Sequence, residues 1–283
     1  MKRGISCWAF PQNKPLEDVF ALAAKAGFEG IELAYGTDGP LYPATRTEET
    51  KAVLKLAASK NIEVSSLASG IFWSVNLLSE DPEERAAAKQ HVGKMLEIAS
   101  DLEVGTILVV PGFIGPFEAG APVVFDYDAA FERAVADFQE LSLRAEKYGV
   151  AIGVENVWNK FLSSPFEMRA FLAQVGSPWV GCYFDVGNVL RTGYPEQWIR
   201  MLGPYIKGVH FKDFRVGVGN LQGFVDLLEG DVDFEGVMLA LKEVEYKGYC
   251  VVEVFAREND PDAVPLRAGA DMERIFTRAD LRR

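Results

Sequence analysis

Histidine is scarce in this chain, with two residues, His91 and His210, in 283 positions. That count leaves no room for a histidine-rich zinc centre, and a Ser-His-Asp triad would have to use His210, which no GxSxG elbow accompanies. Cysteine is sparse too. Cys7, Cys182 and Cys250 lie far apart, each inside an apolar run and with no CxxC pair, which argues against a disulfide framework or a zinc knot. They read as three buried thiols of a cytoplasmic protein. No apolar run approaches the length needed to cross a bilayer, and the run after Lys2 and Arg3 stops at Pro11, too short for a signal peptide. Basic residues are outnumbered 29 to 41 by acidic ones, a net charge of -12, whereas a nucleic-acid partner needs a concentrated basic surface. The turn after the first apolar run carries Pro11, Gln12 and Asn13 instead of a glycine-rich fingerprint, which argues against a dinucleotide site. A late glycine cluster, Gly217 to Gly223, does not match that fingerprint and reads as a loop.

What is present is repetition. With 49% apolar and 25% charged residues the chain can bury a large core. Eight times a short apolar run is followed by a loop and a longer stretch of helical periodicity. The runs are ISCWAF, FEGIEL, IEVSSLA, GTILVV, VAIGVE, WVGCYFD, IKGVHF and YCVVEV. The helical stretches are 16–26, 48–60, 83–102, 128–148, 165–175, 195–202, 234–245 and one from about 262. Several begin at proline or an acidic residue, where the first backbone N–H groups lack partners. Strands alternating with helices call for a parallel sheet with right-handed crossovers, and eight units close a barrel, predicting one α/β domain over 1–283. The long connections 111–127 and 212–233 fall on the face where barrel enzymes work, so both are expected to be functional.

Four polar residues, Glu155, Asp185, His210 and Glu253, close consecutive apolar runs. A carboxylate at a strand end can simply cap a helix or pair with lysine. Together, three carboxylates and an imidazole at one barrel mouth would repel strongly unless a cation neutralised them. Such oxygen-rich ligation suits manganese or magnesium, with cobalt or zinc as alternatives. His91 falls within a helical stretch and reads as a packing or surface residue.

These residues sit in the motifs VEN (154–156), FDVGN (184–188), HFKD (210–213) and VVEV (251–254), which resemble the xylose isomerase-like sugar and sugar phosphate isomerase/epimerase family. The stretch ENVWNKFLSSPFEM is similar to hexulose phosphate isomerases and ketose 3-epimerases. The resemblance covers nearly the whole chain. It implies a (β/α)8 TIM barrel with one divalent metal on Glu155, Asp185, His210 and Glu253, and a ketose or ketose phosphate bound to that metal. It further implies that Glu155 and Glu253 move the substrate proton at C3 or C1/C2 through an enediolate, while Asp185 and His210 mainly hold the ion. A homodimer is expected by analogy alone.

Around this core the chain departs from well-known 3-epimerases. Asn188 stands where they carry a histidine, and Arg215, offset by one residue, where they carry an arginine. Both are candidate substrate contacts, as is Lys212, although Lys212 and Asp213 can also pair as neighbours. Trp8, Tyr35, Phe72, Trp73, Trp158 and Phe255 fall near strand ends, and of these Trp8 and Trp158 are the favoured pocket walls. A phosphate would be expected near Lys212, Arg215 and Arg257. The rival readings are a keto-inositol dehydratase, a hydroxypyruvate-type aldose-ketose isomerase and a silent sugar-binding relative. An endonuclease IV-like role fits poorly, since it needs many more histidines.

Overall fold

A computed structural model describes residues 1–115, 124–257 and 259–280. Eight parallel strands close a barrel: β1 (Lys2–Ser6), β2 (Gly30–Ala34), β3 (Glu63–Ala68), β4 (Thr106–Val109), β5 (Ala151–Glu155), β6 (Val180–Asp185), β7 (Ile206–Phe211) and, after a small hairpin, β10 (Tyr249–Val252). Each strand pairs with its sequence neighbour, and β1 pairs with β10 to seal the sheet. The helices between them are α1 (Leu16–Lys25), α2 (Thr47–Ser59), α3 (Pro82–Asp101), α4 (Tyr127–Tyr148), α5 (Pro165–Val175), α6 (Val186–Val189), α7 (Pro195–Leu202), α8 (Phe234–Glu243) and α9 (Ala263–Asp280). This is the single-domain TIM barrel that the alternation predicts.

The helix starts follow from local chemistry. Asp81, Asp126, Ser164 and Asp233 each accept a hydrogen bond from a first-turn backbone N–H, and Pro82, Pro165 and Pro195 occupy positions that need no donor. Apolar faces then pack onto the strands, burying residues such as Val92, Leu96, Phe138, Phe171 and Leu241 completely. Among the described residues no helix is long and apolar enough to cross a membrane.

Three details differ from the sequence expectation. The first strand ends at Ser6, because its side chain accepts from the Trp8 N–H and turns Cys7–Ala9 into a short 3-10 helix. Asp185 caps α6, a single turn too short to show as periodicity. The 212–233 connection folds partly into a hairpin of β8 (Asp213–Phe214) and β9 (Phe224–Val225), with the glycine cluster at its tip. Of the other long connection, residues 116–123 lie outside the described residues. Cys182 and Cys250 are buried, whereas Cys7 is partly exposed at the mouth.

Two register shifts matter for the site. One falls where β2 meets β3 at Ile31/Glu32, the other where β6 meets β7 at Cys182/Tyr183. Bulges of this kind re-aim side chains. Tyr183 lies inside the barrel in space left by two glycines: a Cβ on Gly208 would sit 2.5 Å from its ring, and one on Gly153 would sit 2.9 Å from its Cβ. The Tyr183 hydroxyl thereby reaches Glu32 on the far side.

Candidate metal centre

The ends of β5, β6, β7 and β10 bring Glu155, Asp185, His210 and Glu253 together, with one donor atom from each lying within 4.8 Å of all the others. The register places Asp185 beside His210 and His210 beside Val251, so neighbouring strands deliver neighbouring candidate ligands. His210 Nδ1 stands 3.6 Å from Glu155, 3.4 Å from Glu253 and 4.0 Å from Asp185. All four residues are buried. Among the described residues, Asp185 Oδ2, His210 Nδ1 and Glu253 Oε2 are buried and make no hydrogen bond of acceptable geometry. Buried polar atoms are normally hydrogen-bonded; here three that are not converge on one point, the two carboxylate oxygens meeting only the Lys212 ammonium, an arrangement that could hold a cation. Three carboxylates and one imidazole are the donor set of a hard or borderline divalent ion.

A buried network holds the imidazole. His210 Nε2 lies 2.9 Å from Glu32 Oε1, while Glu32 Oε2 accepts from the Tyr183 hydroxyl at 2.7 Å and from Ser66 Oγ at 2.9 Å. Three donors converging on one carboxylate keep a His210 proton on Nε2, so Nδ1 is the nitrogen that faces the cluster and would offer its lone pair once the imidazolium loses its other proton. Asp185 is fixed equally tightly. Its N–H and C=O bond the Asn156 side chain, each at 2.9 Å, and its Oδ1 accepts from the Asn188 N–H at 2.8 Å.

The charges of the cluster are balanced among its own residues. Burial pushes the Glu155 carboxyl up to about 7, aided by the nearby Glu253 charge and opposed by His210 and Lys212. Burial likewise raises Asp185 against the pull of Lys212. Burial would raise Glu253 as well, but Lys212 and His210 outweigh it and hold that carboxyl low. Burial opposes the charged form of His210, yet Glu32, Glu155 and Glu253 hold its pKa well above the ordinary value. The Lys212 ammonium contacts Glu253 and lies 3.3 Å from Asp185 Oδ2. Protons and an ammonium thus meet the charge that a divalent ion would meet.

The remaining candidates divide. Lys212 is at the cluster and does not pair with Asp213, whose carboxylate accepts from the N–H groups of Phe214, Gly230 and Val232 and so pins the 212–233 loop. Asn188 donates its side-chain amide to the Asn156 carbonyl at 3.0 Å and braces the loops. Arg215 turns away to the Glu229 carbonyl and carboxylate and is half exposed. Arg257 is paired with Asp226, which also holds Arg267. These contacts differ from the expected substrate and phosphate roles of Arg215 and Arg257, because nearby carboxylates take up both guanidinium groups.

Trp8 and Phe255 line a cavity of about 550 Å³ with Phe10, Leu33 and Tyr35, over the β1–β3 half of the mouth. Trp158 lines a second cavity beside β5 and β6. Phe72 is core, and Trp73 stacks on Phe113. His91 packs against Tyr35, whose hydroxyl lies 2.9 Å from His91 Nδ1. Sequence reasoning missed Glu32, Ser66 and Tyr183. The available signal was a glutamate inside the apolar run FEGIEL.

Known proteins resemble this chain in sequence or in fold. The L-ribulose-5-phosphate 3-epimerase UlaE of Escherichia coli K12 is 24% identical over 271 residues, covering 95% of this chain and 92% of UlaE. A D-psicose 3-epimerase crystallised with D-tagatose, from Clostridium cellulolyticum H10, superposes with a TM-score of 0.82 at 21% identity, covering 99% of each chain. The 3-keto-D-glucoside 4-epimerase YcjR of E. coli gives a TM-score of 0.78 at 19% identity, covering 98% of this chain and 99% of that one. The family model described as xylose isomerase-like TIM barrel matches residues 20–276, and the chain belongs to that family.

Proposed function

We propose that the protein is a metal-dependent isomerase that epimerises a ketose or ketose phosphate at C3. The observation carrying this reading is the buried four-residue cluster, three of whose donor atoms make no hydrogen bond, set at the C-terminal end of the barrel strands. The names of relatives such as UlaE support the same reaction class.

Glu155, Asp185, His210 and Glu253 would hold the ion, with manganese or magnesium the best match to an oxygen-rich set. When bound, the metal supplies Lewis-acid polarisation of the ketose oxygens. The chain's own residues do the rest. In the barrel order Glu155 on β5 and Glu253 after β10 flank Asp185 on β6 and His210 on β7, so the two carboxylates lie at opposite ends of the cluster. One glutamate takes the C3 proton from one face of the substrate, and an enediolate forms. The other glutamate returns a proton to the opposite face, which inverts the carbon with no change of formula. The Lys212 ammonium, within reach of the same oxygens as the cation, offsets the negative charge that develops. The apolar cavity walled by Trp8 and Phe255 gives the carbon chain a place that excludes water.

The variants Glu155→Gln and Glu253→Gln test the assignment. Each is expected to lower epimerisation by about 100- to 10,000-fold, the usual contribution of a positioned acid or base. Unchanged exchange of the substrate C3 proton with solvent in either variant would refute the role of that glutamate.

A further inference from the structure

The second cavity beside the metal-ligand cluster has chemistry that proton transfer leaves unused. It measures about 310 Å³ and is lined by residues that include Asn156, Trp158, Ser163, Asn188, Arg191 and Thr192, from the loops that follow β5 and β6. The chain ties it to the cluster, since Asn156 follows Glu155 and Asn188 lies in the turn capped by Asp185.

Arg191 is the distinctive residue in this wall. Its guanidinium carbon stands 4.9 Å from the centre of the Trp158 ring. Trp158 is itself fixed, because its indole N–H donates to the Asn188 carbonyl at 2.8 Å and its ring packs on Phe214 and Phe224. Stacking holds a guanidinium plane without consuming its N–H donors. Among the described residues no carboxylate forms an ion pair with Arg191. Lys160 also lines the cavity and has contacts of its own; Lys212 is matched by Glu253 and Asp185, Arg215 by Glu229, and Arg257 by Asp226. In a chain of net charge -12, an exposed guanidinium held on an aromatic ring, with no ion pair among the described residues and beside the four-residue cluster, is a site for an incoming anion.

We propose that this cavity is an anion subsite for the phosphate end of a ketose phosphate, with Arg191, seated on Trp158, as its charge partner. The inference rests on the epimerase reading and narrows it to phosphorylated substrates. It also moves the phosphate from the loops after β7 and β10, where sequence alone would put it, to the loops after β5 and β6.

The test compares wild type, Arg191→Met and Arg191→Lys on a pentulose 5-phosphate and on the same pentulose without phosphate, using metal-loaded protein. Wild type is expected to prefer the phosphorylated sugar in kcat/KM. In Arg191→Met that preference should fall by about 10- to 100-fold, as for loss of a charge-assisted hydrogen bond. Arg191→Lys, which keeps the charge and loses the stacked plane, should lie between. An unaltered preference in Arg191→Met overturns the proposal. Calorimetric titration with inorganic phosphate separates the two claims. If neither sugar turns over, the epimerase reading fails, and the subsite stands only if phosphate binds wild type and binds Arg191→Met at least 10-fold more weakly. Equal binding, or none to wild type, overturns it. Weakened phosphate binding with an unaltered sugar preference also overturns it, because the anion would then be free phosphate instead of the substrate's end.

Discussion

Replacing Glu32 by Gln should weaken metal binding although Glu32 is not among the four proposed ligands. The carboxylate accepts from His210 Nε2, Tyr183 and Ser66 at 2.9, 2.7 and 2.9 Å, and both Glu32 and His210 are fully buried. The glutamine keeps the shape and one acceptor oxygen, but it removes the negative charge behind the imidazole. It also turns an NH2 group toward either the histidine N–H or the two hydroxyls. The first arrangement sets donor against donor, and the second obliges both hydroxyls to turn round and accept. Either way Nδ1 becomes a poorer and less firmly oriented ligand. Partners that stand behind a ligand in this way typically contribute 10- to 100-fold in metal affinity, about 1.4 to 2.8 kcal/mol. Tyr183→Phe removes one donor and leaves the His210 contact in place, so its loss should be smaller. Competition for Mn2+ against a chelating dye measures both, with melting of the metal-free protein as the control for folding. Wild-type affinity in Glu32→Gln would refute the argument that Glu32 sets the imidazole.

Further consequences follow from the same geometry. In the metal-free chain His210 is held protonated and Glu155 titrates near 7, so metal binding must release protons. Calorimetry in buffers of different ionisation enthalpy should detect that release, and affinity should rise with pH. Both pKa values are raised above their unfolded values. Their contribution to the metal-free fold is therefore complete below the Glu155 reference of 4.5 and is lost as pH rises through the raised values. The thermal upshift given by metal should accordingly grow between about pH 5 and 8; an upshift independent of pH would contradict these assignments. Lys212→Met removes the ammonium that competes for Glu253 and Asp185, so metal should bind more tightly while the metal-free protein melts lower, and weaker binding would contradict the competition. Gly208→Ala would put a methyl 2.5 Å from the Tyr183 ring, an overpacking worth about 1 to 3 kcal/mol. Thermal melting should fall by about 2 to 4 °C for each kcal/mol, and an unchanged midpoint would show that the ring moves freely.

The barrel was legible because its signal is local: each strand is an apolar run, and most of the following helices begin at a capping side chain or a proline. The four clustered residues were legible for a related reason. Each is a polar residue closing such a run, and closure of the sheet brings run ends together. Glu32 was not legible as part of the site, since its partners Tyr183 and His210 stand 151 and 178 positions away and meet it only across the closed barrel. The surroundings of Lys212 failed for the opposite reason. Its neighbour Asp213 is the obvious partner in sequence, but backbone N–H groups 17 and 19 positions further on satisfy that carboxylate, leaving Lys212 to turn inward. Arg215 illustrates the limit of motif transfer, because its guanidinium meets Glu229 across a loop whose shape the spacing does not encode.

The central claim, metal-dependent proton transfer by this cluster, is tested most directly by proton NMR in D2O with a panel of ketoses and ketose phosphates. The metal-loaded protein is compared with the same sample after chelation and after metal is restored. The account predicts deuterium incorporation at C3 together with inversion, lost on chelation and recovered with metal. Incorporation that persists in chelated, demonstrably metal-free protein, or none in protein shown to hold one ion per chain, would contradict it.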